Sequence, residues 1–454
     1  MTGADGRQQR IAVVGSGIAG MSAAWLMNKS ADADVTLFEQ DGRIGGHTCT
    51  TTVDSGGRSL SVDMGFIVYN EQTYPNLTAL FDHLGVATQT TDMSLAVSLD
   101  DGRLEYGGGS LAQLFAQKRN LCRLRYWTML RDLIRFYRTA AADIADLAAS
   151  EITLGAYLDA NRYSAAFRQD HLLPMAAAIW SMPATDVLNY PAHAFIRFHD
   201  NHGLLKLANR PLWRTVTGGS HSYVEKLMAP LGGRIRTRAV VQSVDRRQDG
   251  VVLQTRDGQS ELFDQVVIAT HADQAIRLLA EPTAAERRLL GAFRYSDNCA
   301  VLHCDERMMP QRRRAWASWN YIGGRHHDPA DLTVTYWMNS LQSLPNDLPL
   351  FVTLNPNREI DPARVIQAER FDHPIIDTAA TKSQQQLWSL QGQDRIWYCG
   401  AYFGAGFHED GLQSGLAVAE ALCGQKRPWR VANESGRIVV GEAPVRRSFE
   451  GAAI

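Results

Sequence analysis

No two of the six cysteines, Cys49, Cys122, Cys299, Cys304, Cys399 and Cys423, form a Cys-x-x-Cys pair. Scattered thiols argue against a zinc ribbon or a disulfide framework, and are expected to stay reduced, as in a cytoplasm. An excess of one charge is missing too. The 46 Lys and Arg face 48 Asp and Glu, a net charge of −2. That gives no global attraction to nucleic acid, which is not expected as a partner. No run approaches the roughly 20 apolar residues that span a bilayer. The longest candidate, Leu172 to Trp180, is short and contains Pro174. Internal repeats are absent. Lysine is absent between Lys226 and Lys382.

What is present is an ordinary globular composition in 454 residues, 45% apolar and 21% charged, enough for two or three domains. Residues 1–9 are polar and are expected to be disordered. Arg7 and Arg10, ahead of an Ala-rich stretch to Met27, mimic a secretion signal. A glycine fingerprint accounts better for the same residues. Ile11-Ala-Val-Val14 is an apolar strand that runs into Gly15-Ser16-Gly17-Ile18-Ala19-Gly20 and then a helix. A second strand, Val35 to Phe38, ends on Glu39-Gln40. The first glycine permits the tight turn, the second lets backbone approach a pyrophosphate, and the third lets helix and strand pack closely. Helix amides then face the phosphates, and Glu39 accepts hydrogen bonds from a ribose.

Further segments suit the same nucleotide. Asp41-Gly-Arg43-Ile-Gly45-Gly46-His47 reads as a loop closing over a phosphate or ribityl chain. Met64-Gly65-Phe66 offers backbone to a flat ring. Val266 to Thr270 reads as a strand packed beside the first. Gly400, with Gly411-Leu412-Gln413-Ser414 at the start of a last helix expected over Gly411 to Cys423, presents amides to a carbonyl or phosphate oxygen. Strands are also expected over 234–241, 251–255, from 298 to about 354, and over 395–399, with turns at Gly250 and Gly258. Residues 111–150 read as helix.

These residues, with Asp63 to Asn70, Thr73 to Asn76, Asp92-Met93-Ser94 and Phe115 to Lys118, resemble the flavin amine oxidase and phytoene desaturase superfamily over about residues 10–424. Within it the chain is most similar to the amine-oxidase-like N-terminal domain of plant cyclopropane fatty acid synthases and their stand-alone bacterial relatives. The resemblance implies an α/β fold, a Rossmann-like FAD-binding domain with an inserted α+β substrate domain. The expected FAD-binding parts are 10–70, 211–285 and 386–424. The substrate domain is expected from 71–210 and 286–385, with 425–454 an Arg-rich tail. By position, Val240 and the glycine-loop, Glu39, Arg43, Gly45, Gly46, Thr270, Gly400, Leu412 and Gln413 residues carry over as FAD contacts. The flavin is expected to be held non-covalently.

The chain departs from the amine oxidases of that superfamily. Their flavin-side lysine has no counterpart in Tyr295-Ser-Asp-Asn298-Cys299-Ala-Val-Leu302. One member of their aromatic cage aligns with Gly411, and their acidic residue after the strand glycine with Tyr402. The reading that follows is hydride removal from a long, methylated or unsaturated fatty acyl lipid. Amine oxidation, redox-neutral double-bond isomerisation and a non-catalytic role beside a lipid methyltransferase are the alternatives. His408 is the candidate base or flavin-tuning group, with Glu409 beside it and Tyr69 and Tyr402 near the ring. Trp180, Met182, Trp316, Trp319, Trp337 and Met338 are candidates for an apolar tunnel. His326-His327 reads as a surface loop. His199 and His202 lack further ligand partners, so no metal is expected.

Residues 118–138 carry a basic stripe. On a continuous helix Arg119, Arg123, Trp127, Arg131, Arg135 and Arg138 share one face. Such a helix suits either solvent or an anionic membrane surface, giving a cytoplasmic protein with peripheral contact at the inner face.

Overall fold

The computed structural model describes residues 7–441, apart from 149, 151, 181–183, 202, 207–209 and 326–332. Met182, His202 and His326-His327 lie outside the described residues.

A five-stranded parallel sheet builds the nucleotide-binding half. Its strands are β1 (Gln9–Val14), β2 (Ala33–Phe38), β3 (Ile235–Arg236), β4 (Gln265–Ile268) and β5 (Ile396–Tyr398), in the order β3-β2-β1-β4-β5. Both faces are covered, so β1 and β4 read as unbroken apolar runs rather than alternating ones. Helix α1 (Ile18–Met27) is buried at every position. It lacks a polar face because it is packed between this sheet and the C-terminal helix. Small residues permit that closeness. A Cβ on Gly20 would sit 1.9 Å from the Gly15 carbonyl oxygen, and one on Gly415 would sit 2.1 Å from that of Ala19.

The parallel register sets Gly15, Glu39, Thr270 and Gly400 at the carboxyl ends of neighbouring strands. Ligands bind along that edge in open α/β sheets. The strand begins earlier than the composition suggests. Gln9 is in β1, paired with Ala33, and its amide donates to the Asp32 carbonyl at 2.7 Å.

A seven-stranded sheet lies in the other half. Its order is Val365–Arg370, Cys299–His303, Phe351–Leu354, Thr333–Trp337, Trp319–Gly323, Leu95–Leu99, Leu104–Gly107. All its pairs are antiparallel except Trp319–Gly323 with Leu95–Leu99.

Four expectations need correction. The single strand over 234–241 is two: β3 leaves the parallel sheet after Arg236, Arg238 turns at φ 54°, and Val241–Arg246 joins a separate antiparallel sheet. The helix over 111–150 is broken into Leu111–Leu114, a 3-10 turn at Lys118–Cys122 and a helix α3 (Leu124–Thr139), with Arg123 extended between the last two. Arg119 and Arg123 are therefore not on the face that carries Arg131 and Arg138. The last helix, α4 (His408–Cys423), starts a turn before Gly411. The described part of the tail is tied down: Arg427 donates to Glu420 at 2.8 Å, Arg437 to Asp410 at 2.6 Å, and Trp429 stacks on Trp25 at 5.8 Å.

Candidate functional site

Segments far apart in the chain meet at the carboxyl edge of the parallel sheet. The Gly45 amide donates to the Ser16 carbonyl at 3.0 Å. A Cβ on Gly46 would lie 3.0 Å from the Gly17 Cα, so the glycine doublet lies directly against the first turn. The Phe66 amide donates to the His47 carbonyl at 2.8 Å, which brings Gly65 against the doublet. On the other side, Gly15 packs against Ala269 and Thr270, and the Gly400 amide donates to Ser414 Oγ at 2.9 Å. Gly411 would place a Cβ 2.8 Å from Ile18 Cγ2, so a side chain there would have to displace Ile18.

Glu39 is buried. Its carboxylate accepts from the Ser16 amide at 3.0 Å, from Ser16 Oγ at 2.5 Å and from the Asp41 amide at 2.9 Å. The Ala239 amide donates to the Glu39 carbonyl at 2.8 Å, bringing Val240 alongside. Arg43 donates inward to the Gly46 and Thr48 carbonyls at 2.8 and 3.3 Å. It therefore braces the doublet. Gln40 is exposed. Met64 and Leu412 are buried in the core, and the Gln413 side chain donates to Glu409 at 2.9 Å. From these three residues, main chain rather than side chain is what could reach a nucleotide.

A dinucleotide fits this edge. Beyond its chain neighbours, no atom lies within 4 Å of the place where Gly17 would carry a Cβ, and Gly17 caps α1 without a side-chain hydrogen bond. The first amides of α1 are thus open to an anion.

A family profile for flavin containing amine oxidoreductases matches residues 18–324. The chain belongs to this family. Its cofactor is FAD. Among relatives, a protein described as the flavin-containing monoamine oxidase AofH of Mycobacterium tuberculosis is 27% identical over 256 residues, 55% of this chain and 54% of that one. The carotenoid phi-ring synthase of Streptomyces griseus is 26% identical over 60% of this chain and 54% of its own. The chain spans about half the length of the curated relatives it matches. Solved structures match nearly end to end. A putrescine oxidase with putrescine bound gives a TM-score of 0.63 at 16% identity, covering 92% of this chain and 99% of its own. A fatty acid isomerase of P. acnes that produces CLA gives 0.61 at 15%, covering 90% and 97%. These likenesses establish the two-domain flavoprotein fold. Among the described residues no helix is long and apolar enough to cross a membrane.

Next to the glycine doublet, four histidines from four segments come together. The His47 ring lies 5.3 Å from His373 and 6.2 Å from His271. Burial pulls His47 well below the ordinary imidazole range, and His373, His271 and His408 add to the effect. Burial also brings His373 down to about 4 and His408 to about 3. All are neutral at neutral pH. Asn298, in the stretch where an amine oxidase lysine is expected, shares a 2.9 Å hydrogen bond between its Nδ2 and His373 Nδ1. The sequence reading passed over His271, His373 and Tyr223. Only their convergence in space marks them.

His408 stacks on Phe66 at 3.9 Å, and its Nε2 shares a 2.6 Å hydrogen bond with the Tyr223 hydroxyl. That hydroxyl also pairs with Thr48 Oγ1 at 2.5 Å. The ring is therefore fixed by a polar chain.

The other catalytic candidates are placed differently. Glu409 is a structural cap. Its carboxylate accepts from the Asn76 and Leu77 amides at 3.0 Å, at the start of helix α2 (Pro75–Leu84). The Asn76 and Gln413 side chains donate to it at 2.9 Å. Tyr69 packs edge-on against Tyr74 and Phe81 in the core. Tyr402 packs on Phe293 and Phe403, and its buried hydroxyl has no partner among the described residues. Of the tunnel candidates, Trp316 and Met338 are core residues, while Trp319 and Trp337 are half-buried.

Glu409→Ala strands four donors, two of them helix amides. It is expected to lower the unfolding free energy by about 3 kcal/mol. A urea titration measures this. The visible spectrum of bound flavin stays unchanged. A normal midpoint with an altered spectrum would return Glu409 to the chemistry.

Proposed function

We propose that this protein removes two hydrogens from a long-chain fatty acyl lipid, methylated or unsaturated, and leaves a new double bond. The observation that carries this reading is the absence of lysine between Lys226 and Lys382, with Gly411 where the amine oxidases carry a cage aromatic. A Cβ at Gly411 would lie 2.8 Å from Ile18 Cγ2, and Asn298, in the stretch that the resemblance aligns with the amine oxidase lysine, is paired with His373. The likeness of Asp63 to Asn70 and Thr73 to Asn76 to the domain joined to plant cyclopropane fatty acid synthases supports an acyl substrate. The fatty acid isomerase and the carotenoid synthase show that long apolar substrates suit related proteins.

FAD supplies the two-electron acceptor when bound, and oxygen or a cellular carrier regenerates it. The chain's own residues orient the acyl segment, exclude water and accept one proton. His408 is the group we assign to tuning and positioning at the flavin rather than to that proton, because burial opposes its protonation. It is neutral, fixed by Tyr223, and connected through it to Thr48.

The test is anaerobic addition of membrane lipid extract to flavin-loaded protein, with mass analysis of the acyl chains. Bleaching of the flavin with loss of two mass units is expected. Bleaching by simple amines but not by lipid would overturn the reading in favour of amine oxidation. A lipid product of unchanged mass would mean isomerisation.

A further inference from the structure

Helix α3 turns apolar residues the wrong way for a soluble protein. Its inner face is satisfied: Tyr126, Met129 and Phe136 are buried, and Asp132 is buried beneath Arg131 and Arg135. Yet Leu124 is 85% exposed, Trp127 47% and Ile134 40%. At 3.6 residues per turn these three, with Arg131 and Arg138, fall within an arc of about 80° on the outer side.

The apolar surface continues beyond the helix. The Trp127 indole donates to the Leu121 carbonyl at 2.8 Å, and its ring lies 5.7 Å from Phe115. The Phe115 amide donates to the Leu111 carbonyl at 3.1 Å. Leu121 is 51% exposed and Leu111 77%. Five of the ten large apolar side chains exposed among the described residues thus lie between 111 and 134. Isolated exposed leucines need no explanation, whereas a continuous patch does.

Charge decides what covers it. Residues 111–139 hold seven Lys and Arg against Asp132 alone, in a chain whose net charge is −2. Arg125 is committed to Asp170, and Arg131 and Arg135 to Asp132. Lys118 and Arg138 are exposed and have no carboxylate partner among the described residues. Leucine and tryptophan rimmed by unpaired cations match an anionic bilayer surface. The apolar groups enter the headgroup boundary and the cations meet lipid phosphates.

We propose that Leu111 to Arg138 form a docking surface for an anionic membrane. The surface stands on exposure and charge, and holds whether or not the substrate is an acyl lipid.

The test is flotation of the FAD-loaded full chain with vesicles of phosphatidylglycerol and phosphatidylcholine, and with phosphatidylcholine alone. Binding to the anionic vesicles is expected to be at least about tenfold tighter and to weaken with added salt. Leu124→Asp/Trp127→Ala and Lys118→Gln/Arg138→Gln are each expected to reduce it by about tenfold or more. Val365→Asp, at an exposed strand position elsewhere, is expected to leave it unchanged. Circular dichroism and flavin content identify any variant that has simply misfolded. Equal binding to neutral vesicles, or binding indifferent to both double variants, overturns the proposal. So does failure to float with a purified protein partner held at the same residues.

Discussion

Gly17→Val is expected to give a folded, colourless protein. Gly17 has φ −65° and ψ 173°, a conformation valine adopts readily. Beyond its chain neighbours, nothing lies within 4 Å of the position its Cβ would occupy, so the added Cβ itself has room. It does fill the space in front of the first amides of α1. Blocking two charge-assisted hydrogen bonds, at about 1.5–3 kcal/mol each, weakens FAD binding by at least about a hundredfold. Gly20→Val makes the contrast, since its Cβ would lie 1.9 Å from the Gly15 carbonyl oxygen and the fold itself would suffer. The measurements are visible absorbance after reconstitution and the urea midpoint of the apoprotein. Gly17→Val loses the first and keeps the second; Gly20→Val loses both. A yellow Gly17→Val protein would falsify the placement of the phosphates at α1.

The parts of the fold that were legible were those whose cause is local. A buried parallel strand, a glycine turn and an amide-bearing helix follow one another within Ile11 to Met27, so their physics shows in adjacent letters. β4 was legible for the same reason: it is apolar on both faces and ends in small residues. Other features depend on partners remote in sequence. Glu409 reads as a reactive acid until α2, 332 residues earlier, supplies the Leu77 amide to it. His373 has no distinguishing neighbours, and becomes part of a site only when Asn298 and His47 pack around it. The basic stripe was misread for a third reason. Periodicity assumes one continuous helix, and the extended backbone at Arg123 resets the phase. The Leu124 and Trp127 exposure that distinguishes the patch has no periodic signature separate from an ordinary core face.

The neutral histidines make the protein acid-labile well above the range in which carboxylates titrate. His171 is pulled down to about 3 by burial, with both ring nitrogens within 3.1 Å of the Tyr106 and Tyr137 hydroxyls. Burial takes His199 and His303 to about 4. An unfolded histidine titrates near 6.5. The unfolded chain therefore binds these protons first. Stability is complete above pH 6.5 and is lost as pH falls towards the folded values. At pH 5 each histidine costs about 2 kcal/mol, roughly 6 for the three. Asp63 runs the other way. Burial raises it to about 6, so its protonation between pH 7 and 5 returns about 1 kcal/mol. The loss from these four groups, near 5 kcal/mol, is a large share of the ~5–15 kcal/mol that holds a typical protein folded. Urea midpoints at pH 7.5 and 5.0, with FAD saturating, measure it. His303→Gln can keep a hydrogen bond to Thr353, whose Oγ1 lies 2.6 Å from the imidazole, but cannot titrate. It is expected to lessen the difference between the two pH values by about 2 kcal/mol. Equal stability at both pH values would mean that these imidazoles are charged in the folded protein, and that their burial is incomplete.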